Sequence, residues 1–384
     1  MLRALALVLL AAAGLMMRTL AGIAAVETGF RTDHVLTASL SIPEPSPDQA
    51  RRLAITGEIL SRARAIPGVL SAGAGYSLPV DGSNWNSVFW MQDRPVPPNN
   101  DNLPSAAIVP ITEGYFDALG ARMARGRDFS AADAPGAPPV AIVNETLAAR
   151  MWPGEDPIGK RLKQGWPANA GVWREVVGVV DDIKFEGPTE ATSMQIYFPI
   201  AQDPPSEYSL VLRSGIDPAA LATPLAEAIS SVNRDMPLSD VRTMEQVVGD
   251  AMARQRVAML VLGVFAVVAL VLSAIGLYGV IAYWVTERRL EIGIRMALGA
   301  RRRDVIRVVG ASGGWMILGG TAGGIAAAAA TTTSLRGLLF GVEPLDPMTF
   351  GAVVLTLVAV SAAACYVPAW RATRIAPITA LRSE

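Results

Sequence analysis

The chain has 384 residues, with Lys+Arg 33 against Asp+Glu 34, one histidine and one cysteine. A mean hydropathy of +0.36 with only 17% charged residues places part of it in lipid, and a hydrophobic content of 51% excludes a disordered or collagen-like chain. The formal charge of −1 offers no bulk attraction for nucleic acid, Cys365 has no second cysteine for a disulfide or zinc cage, and His34 by itself cannot build a His-rich metal site.

From the start, residues 4–17 are uninterrupted and apolar before Arg18 intervenes. This segment reads as an N-terminal membrane anchor over 1–26, with Arg18 snorkelling toward the headgroups. The competing reading is a signal peptide with Arg3, an apolar stretch 5–10 and a small-residue cleavage site at Gly22-Ile23-Ala24. In both readings the following segment, 27–256, is exported.

That segment alternates strands and helices. Strands are predicted over 35–42, 69–76 and 88–91, with a helix over 48–65 between the first two. Near its end, a strand over 209–213, a helix over 218–233 and a strand over 238–244 have lengths that suit one sheet with the opening elements. The middle block is punctuated differently, with a short helix at 115–119 stopped by Gly120, a strand over 139–143 running into Asn144 as helix N-cap, and strands over 175–180 and 194–199. The expected fold is therefore a large extracytoplasmic mixed α/β domain with an inserted β-rich lobe at about 108–204, joined to an α-helical membrane domain of four spans, or three if the first is cleaved. A polar helical stretch over 243–256, without a Pro or Gly pair, is expected to run unbroken into the second span as a stalk.

Residues 257–285, 308–335 and 347–370 carry no Asp, Glu, Lys or Arg and are each long enough to cross a bilayer. Arg288, Arg289, Arg295, Arg301, Arg302, Arg303 and Arg307 lie between the second and third spans, and Arg371, Arg374 and Arg382 follow the fourth. Only Arg336, beside Glu343 and Asp346, lies between the third and fourth. The positive-inside rule puts the Arg-rich loop and the C-terminal tail in the cytoplasm and 27–256 outside.

No catalytic constellation emerges. There is no GxxxxGK[ST] loop and no GxSxG elbow, and the Gly68–Gly75 tract reads as strand and turn. Asp181-Asp182 reads as a solvated pair at a strand end, and Asn144-Glu145-Thr146, though a glycosylation sequon, as an N-cap. Trp85, Trp90, Trp152, Trp166 and Trp173 read as lobe-packing residues before a ligand surface. Two features carry mechanism. In the segment from Glu287 and Arg288 to Gly299, which includes Ile292 and Gly293, Leu290, Ile294 and Leu298 form one apolar stripe, Glu291 pairs with Arg295 at i,i+4 on another face, and Gly299 stops a short amphipathic helix held between two spans. It reads either as a helix lying on headgroups or as a knob for a cytoplasmic partner. In the third span, Gly310–Gly314, Gly319–Gly323 and Gly320–Gly324 have the spacing that lets membrane helices approach closely, within a subunit or between two.

These residues resemble a known family, the ABC transporter permeases of the MacB/FtsX-like type. Gly29-Phe30-Arg31-Thr32-Asp33, Gly114-Tyr115-Phe116, Arg125-Gly126-Arg127-Asp128-Phe129, Val143-Asn144-Glu145-Thr146-Leu147 and the run Trp152–Lys160 look like its periplasmic core domain. Ile275–Val280, Glu291–Ala300, Leu339–Val342, Pro368–Ala372 and Pro377–Leu381 look like its permease domain, placed at 257–384. The chain is similar to one half of the long duplicated permeases, so it is expected to work as a half-permease or as one half of a longer protein. Ala376 departs from the acidic residue often found there.

The resemblance implies a permease subunit of an ABC-type exporter or mechanotransmission complex in a bacterial inner membrane. It is expected to be no enzyme itself and to bind no cofactor, with ATP and Mg bound by a separate cytoplasmic ABC ATPase that grips the 287–299 segment. A homodimer or a second permease half, a periplasmic adaptor or target and the lipid bilayer are the other implied partners. Efflux is a family-level expectation. The rival readings are an FtsX-like membrane regulator of extracytoplasmic cell-wall enzymes and an ATPase-independent anchored binding protein.

Overall fold

The computed structural model describes residues 2–24, 28–42, 49–82, 85–95, 103–166, 171–187, 190–202, 205, 207–234, 236, 238–288, 291, 294, 319–330 and 345–372. The chain divides into two compact units, one of Met1–Ala25 with Ala253–Glu384 and one of Val26–Met252. Helix α1 (Leu2–Ala24) belongs to the first.

In the second unit, β1 (Val35–Ser41), α2 (Gln49–Ala65) and β2 (Val69–Gly75) make one strand–helix–strand unit. After the insertion, β10 (Glu207–Ser214), the 3-10 turn Pro218–Leu221 with α5 (Ala222–Val232), and β11 (Leu238–Thr243) make another. The four strands interleave antiparallel in the order β11-β1-β10-β2, the order of a ferredoxin-like fold. Alternation along β1 sends Leu36, Ala38 and Leu40 to the face covered by Ile59 and Leu60 of α2 and Leu225 and Ile229 of α5. Val35 and Val211 face the other way, into a core with Tyr115, Phe116, Met244 and Val247.

Between β2 and β10 the chain forms β3 (Trp85–Met91), β4 (Ser105–Ile111), α3 (Tyr115–Leu119), β5 (Met123–Gly126), β6 (Val140–Asn144), α4 (Glu145–Met151), β7 (Arg161–Gln164), β8 (Arg174–Val180) and β9 (Gln195–Pro199). The pairings β4-β3-β7-β8-β6-β9 return to β4 through a parallel β4–β9 ladder, so these six strands close on themselves. Phe89, Ile108, Val143, Leu162, Val176 and Ile196 fill the core they share with α4. β7 and β5 take one edge of β8 in turn. The lobe expected from about residue 108 therefore starts earlier: β3 belongs to it, because Trp85 pairs with Ile108 and Met91 with Leu162.

Helix α6 (Met244–Ala251) opens with a capping box, in which Gln246 N donates to Thr243 Oγ1 at 3.3 Å and Thr243 N to Gln246 Oε1 at 3.0 Å. It stops at Met252, whose ψ of −1° lifts the backbone out of the helical course, and α7 (Ala253–Glu287) begins one residue later. The expected unbroken stalk helix thus has a break at Met252, with Gly249, a poor helix former, in the turn before it.

The first unit contains α1, α7, a helix over 319–330 (α8) and α9 (Pro347–Ala372). Leu7 and Ala11 pack with Ala269, Ala328, Val353 and Leu357. Among the described residues two helical stretches, Arg256–Glu287 and Pro347–Val367, are long and apolar enough to cross a membrane. The apolar stretch of α1, Ala4–Thr19, is shorter. Of the predicted span 308–335, only the α8 residues are described.

Candidate coupling site

Helix α7 has 35 residues, which at the helical rise gives a rod of about 52 Å, longer than a hydrocarbon layer. Its last turn is prolonged by Arg288 N, which donates to Trp284 O at 3.2 Å. The Arg288 guanidinium lies over the Trp284 ring, 4.6 Å from its centroid, and reaches Glu291 at 3.9 Å. Glu287, Arg288, Glu291 and Ile294 are exposed. Leu290, Ile292, Gly293, Arg295, Leu298 and Gly299 lie outside the described residues, so the predicted apolar stripe is represented by Ile294 and the Glu291–Arg295 pair lies outside them too.

Of the predicted packing glycines, Gly324 sits against α1, where an added Cβ would stand 3.1 Å from Leu7. Gly319 and Gly323 face open space, Gly320 is half-buried, and Gly310 and Gly314 lie outside the described residues. Sequence reasoning missed a tie in the same unit. Arg18, read as a snorkelling residue, pairs with Asp346, which also N-caps α9 by accepting from Thr349 N at 2.8 Å and Thr349 Oγ1 at 2.6 Å. The acidic residue just ahead of an apolar run was the available signal.

In the exported unit the singled-out residues hold structure together. Asn144 caps α4, accepting from Leu147 N at 3.1 Å, and is fully buried. Asp182, read as solvated, instead accepts from Asn144 Nδ2 at 2.7 Å, Thr146 N at 2.9 Å and Thr146 Oγ1 at 2.6 Å, while Asp181 pairs with Arg122 at 2.9 Å. Trp152 is buried and donates to Asp93 Oδ2 at 3.1 Å, and Lys160 reaches the same carboxylate at 3.3 Å. Trp90 is buried, Trp173 lies beneath the Lys163 ammonium, and Trp85 and Trp166 are exposed. His34 occupies a positive-φ turn, with Nδ1 3.2 Å from the Ile216 carbonyl. Arg127 forks onto Asp133 at 2.7 and 2.9 Å and holds that carboxyl below its usual range. Asp128 beside it is pushed up to about 6, chiefly by burial, with Asp117, Glu113 and Asp133 adding like charge. No group of three or more metal-ligating side chains occurs among the described residues.

Comparison with known proteins accounts for both units. The model of the MacB-like periplasmic core domain matches residues 9–228, and that of the FtsX-like permease C-terminal domain matches 263–377. The chain belongs to the MacB/FtsX-like ABC transporter permease family. It is 26% identical over 298 residues to the macrolide export ATP-binding/permease protein MacB 1/2 of Paracoccus denitrificans, covering 72% of this chain and 42% of that protein. It is 28% identical over 322 residues to the pyoverdine export ATP-binding/permease protein PvdT of Pseudomonas syringae pv. tomato, covering 80% and 46%. The chain thus spans less than half the length of these relatives, and its family matches fall on permease domains. Among solved structures, the periplasmic region of MacB from Actinobacillus actinomycetemcomitans aligns with a TM-score of 0.38 at 16% identity, covering 60% of this chain and 98% of that one.

Proposed function

We propose that this chain is the permease subunit of an ABC-type exporter or mechanotransmission complex in a bacterial inner membrane, driven by a separate cytoplasmic ATPase that binds ATP and Mg. The observation that carries this reading is α7: one uninterrupted helix begins one residue after the exported unit ends and finishes in the Arg-rich loop. A rod of that kind converts a displacement of its cytoplasmic end into a displacement of the residue next to the exported domain. At that end Arg288 stacks on Trp284 and reaches Glu291.

In this reading Glu287, Arg288, Leu290, Glu291, Ile292, Gly293, Ile294, Arg295, Leu298 and Gly299 form the segment seated in a cleft of the ATPase. ATP-driven closure of two ATPase subunits then draws two such segments together. The open face at Gly319 and Gly323 suits a second copy or a second permease half. Export as the direction of work is supported by the names of the relatives; the cargo is left to the paired exported domains and to any periplasmic adaptor or target they meet. The test is reconstitution of the full chain with its ATPase in nanodiscs. Arg295→Glu or Leu298→Asp is expected to abolish stimulation of ATP hydrolysis while the chain still folds. Normal stimulation in both variants would overturn the reading.

A further inference from the structure

At one end of its four-stranded sheet the exported unit presents two large apolar side chains that the coupling mechanism does not use. In the ladder of β2 with β10, Ser71 pairs with Arg213 and Val69 with Ser214, so Leu70 is the extra residue of a β-bulge. The bulge turns Leu70 outward, and it is 69% exposed. Ile216 follows β10 by two residues and is 46% exposed. Each leans over the other strand's glycine: a Cβ built on Gly68 would stand 2.8 Å from Ile216 Cδ1, and one on Gly215 would stand 3.5 Å from Leu70 Cδ2. Hydrogen bonds hold the platform beneath them, Gly215 N donating to Gly68 O at 2.8 Å and Ile216 N to Ser214 Oγ at 3.0 Å. A single exposed leucine needs no explanation, but two such side chains set together on a bulge and a bonded turn form a fixed apolar knob.

Chain connectivity points to what covers it. His34, the residue before β1, has Nδ1 3.2 Å from Ile216 O, and its own carbonyl accepts from Ser214 N at 2.8 Å. At the same end of the sheet Leu36 pairs with Thr243, where β11 passes the chain to α6. The knob therefore sits where the chain enters the exported unit and where it turns to leave it. Beyond both points the sequence becomes apolar: residues 4–26 carry Arg18 as their one charge, and 257–285 carry none. The tether 27–34 reaches only about 28 Å even at full extension.

We propose that Leu70 and Ile216 insert into the lipid surface on the exported side, at the boundary between headgroups and acyl chains. Two side chains give a weak, reversible hold on their own, but the tethers keep the knob at high local concentration over the bilayer, so a weak contact suffices. The proposal rests on α7 lying in lipid, as the function proposed above requires.

The experiment uses the full chain with Cys365→Ala in phosphatidylcholine nanodiscs, each variant carrying a nitrobenzoxadiazole fluorophore on one introduced cysteine. At Leu70→Cys and Ile216→Cys the emission is expected to lie at shorter wavelength than at Glu207→Cys, an exposed site at the other end of β10, and to be lost when lipid with a nitroxide headgroup is added. Glu207→Cys is expected to keep its emission. No quenching at the first two sites, or equal quenching at all three, would overturn the proposal. A shift to shorter wavelength without quenching would mean that protein, such as a second copy of this chain, covers the knob, and would overturn it as well. Ile275→Cys, exposed on α7, reports separately on the membrane reading through lipid with a nitroxide on its acyl chain. Failure to quench there would overturn that reading, whereas quenching there with no response at Leu70→Cys and Ile216→Cys would overturn this proposal alone.

Discussion

The phenol ring of Tyr115 lies directly over Gly75: a Cβ built on Gly75 would stand 2.6 Å from the ring. Two residues back on the same strand, a Cβ on Gly73 would fall 2.5 Å from the Tyr115 backbone. The pair of glycines lets α3 settle onto β2, and the buried Tyr115 hydroxyl, held well above its ordinary pKa by burial, donates to Ser77 O at 3.0 Å. Gly75 is also the residue at which the ferredoxin-like sheet meets the closed lobe, through Ile111.

Gly75→Ala is therefore expected to destabilise the exported unit by about 1–3 kcal/mol, the usual cost of overpacking. Gly57→Ala, also at a glycine but with open space, is expected to stabilise it by about 0.5–1 kcal/mol. Urea unfolding followed by tryptophan fluorescence distinguishes the two signs.

Asp182 gathers three donors from the start of α4. Asp182→Ala leaves Asn144 Nδ2 short of a partner in a buried setting and is expected to cost about 2–3 kcal/mol. In a double-mutant cycle with Asn144→Ala the two losses are expected to be markedly less than additive, since both remove the same contact. Strict additivity would contradict the shared network.

Asp128 gives a pH dependence with a definite sign. Its carboxyl is pushed up to about 6 in the folded chain from an ordinary value near 3.8, so the folded state holds its proton more tightly than the unfolded one. Its contribution is harmless below pH 3.8 and turns increasingly unfavourable as pH rises toward 6. Asp128→Asn, which keeps an acceptor for Phe129 N, should leave stability near pH 4 unchanged and raise it above pH 6. Urea midpoints measured across that range for both chains test it.

These cases mark how far the sequence could be read. Strong alternation in residues 35–42, the helical run of α2, the Gly120 stop and the Asn144 cap were legible because each is a local signal. The extra strands β4, β5 and β7 were not: β4 contains Pro110, and β5 and β7 are four residues each, too short for a period of two to show. Closure of the lobe depends on the parallel β4–β9 ladder, whose strands lie about 85 residues apart, and no local pattern encodes that pairing. The same limit applies to Asp182, which looks solvated beside Asp181 and is occupied by residues nearly 40 positions earlier. The coupling segment was legible as charge and periodicity, and Arg288 stacking on Trp284 was not.

In the membrane unit, Gly14 places a would-be Cβ 2.8 Å from Thr349, next to the Arg18–Asp346 pair. Gly14→Leu is expected to push α1 from α9 at Thr349 and to destabilise the membrane unit by about 1–3 kcal/mol, the usual cost of overpacking. A lower thermal midpoint than the parent chain in nanodiscs, followed by circular dichroism, reads this directly.

The central claim is a rod that crosses the membrane between an exported domain and a cytoplasmic segment. Its most direct test is sidedness, measured with single cysteines in a Cys365→Ala background and a membrane-impermeant maleimide. Glu58→Cys, on the exposed side of α2, is expected to label in intact spheroplasts, and Glu287→Cys, at the far end of α7, only after permeabilisation. Labelling of both from the same side of the intact membrane would contradict the account.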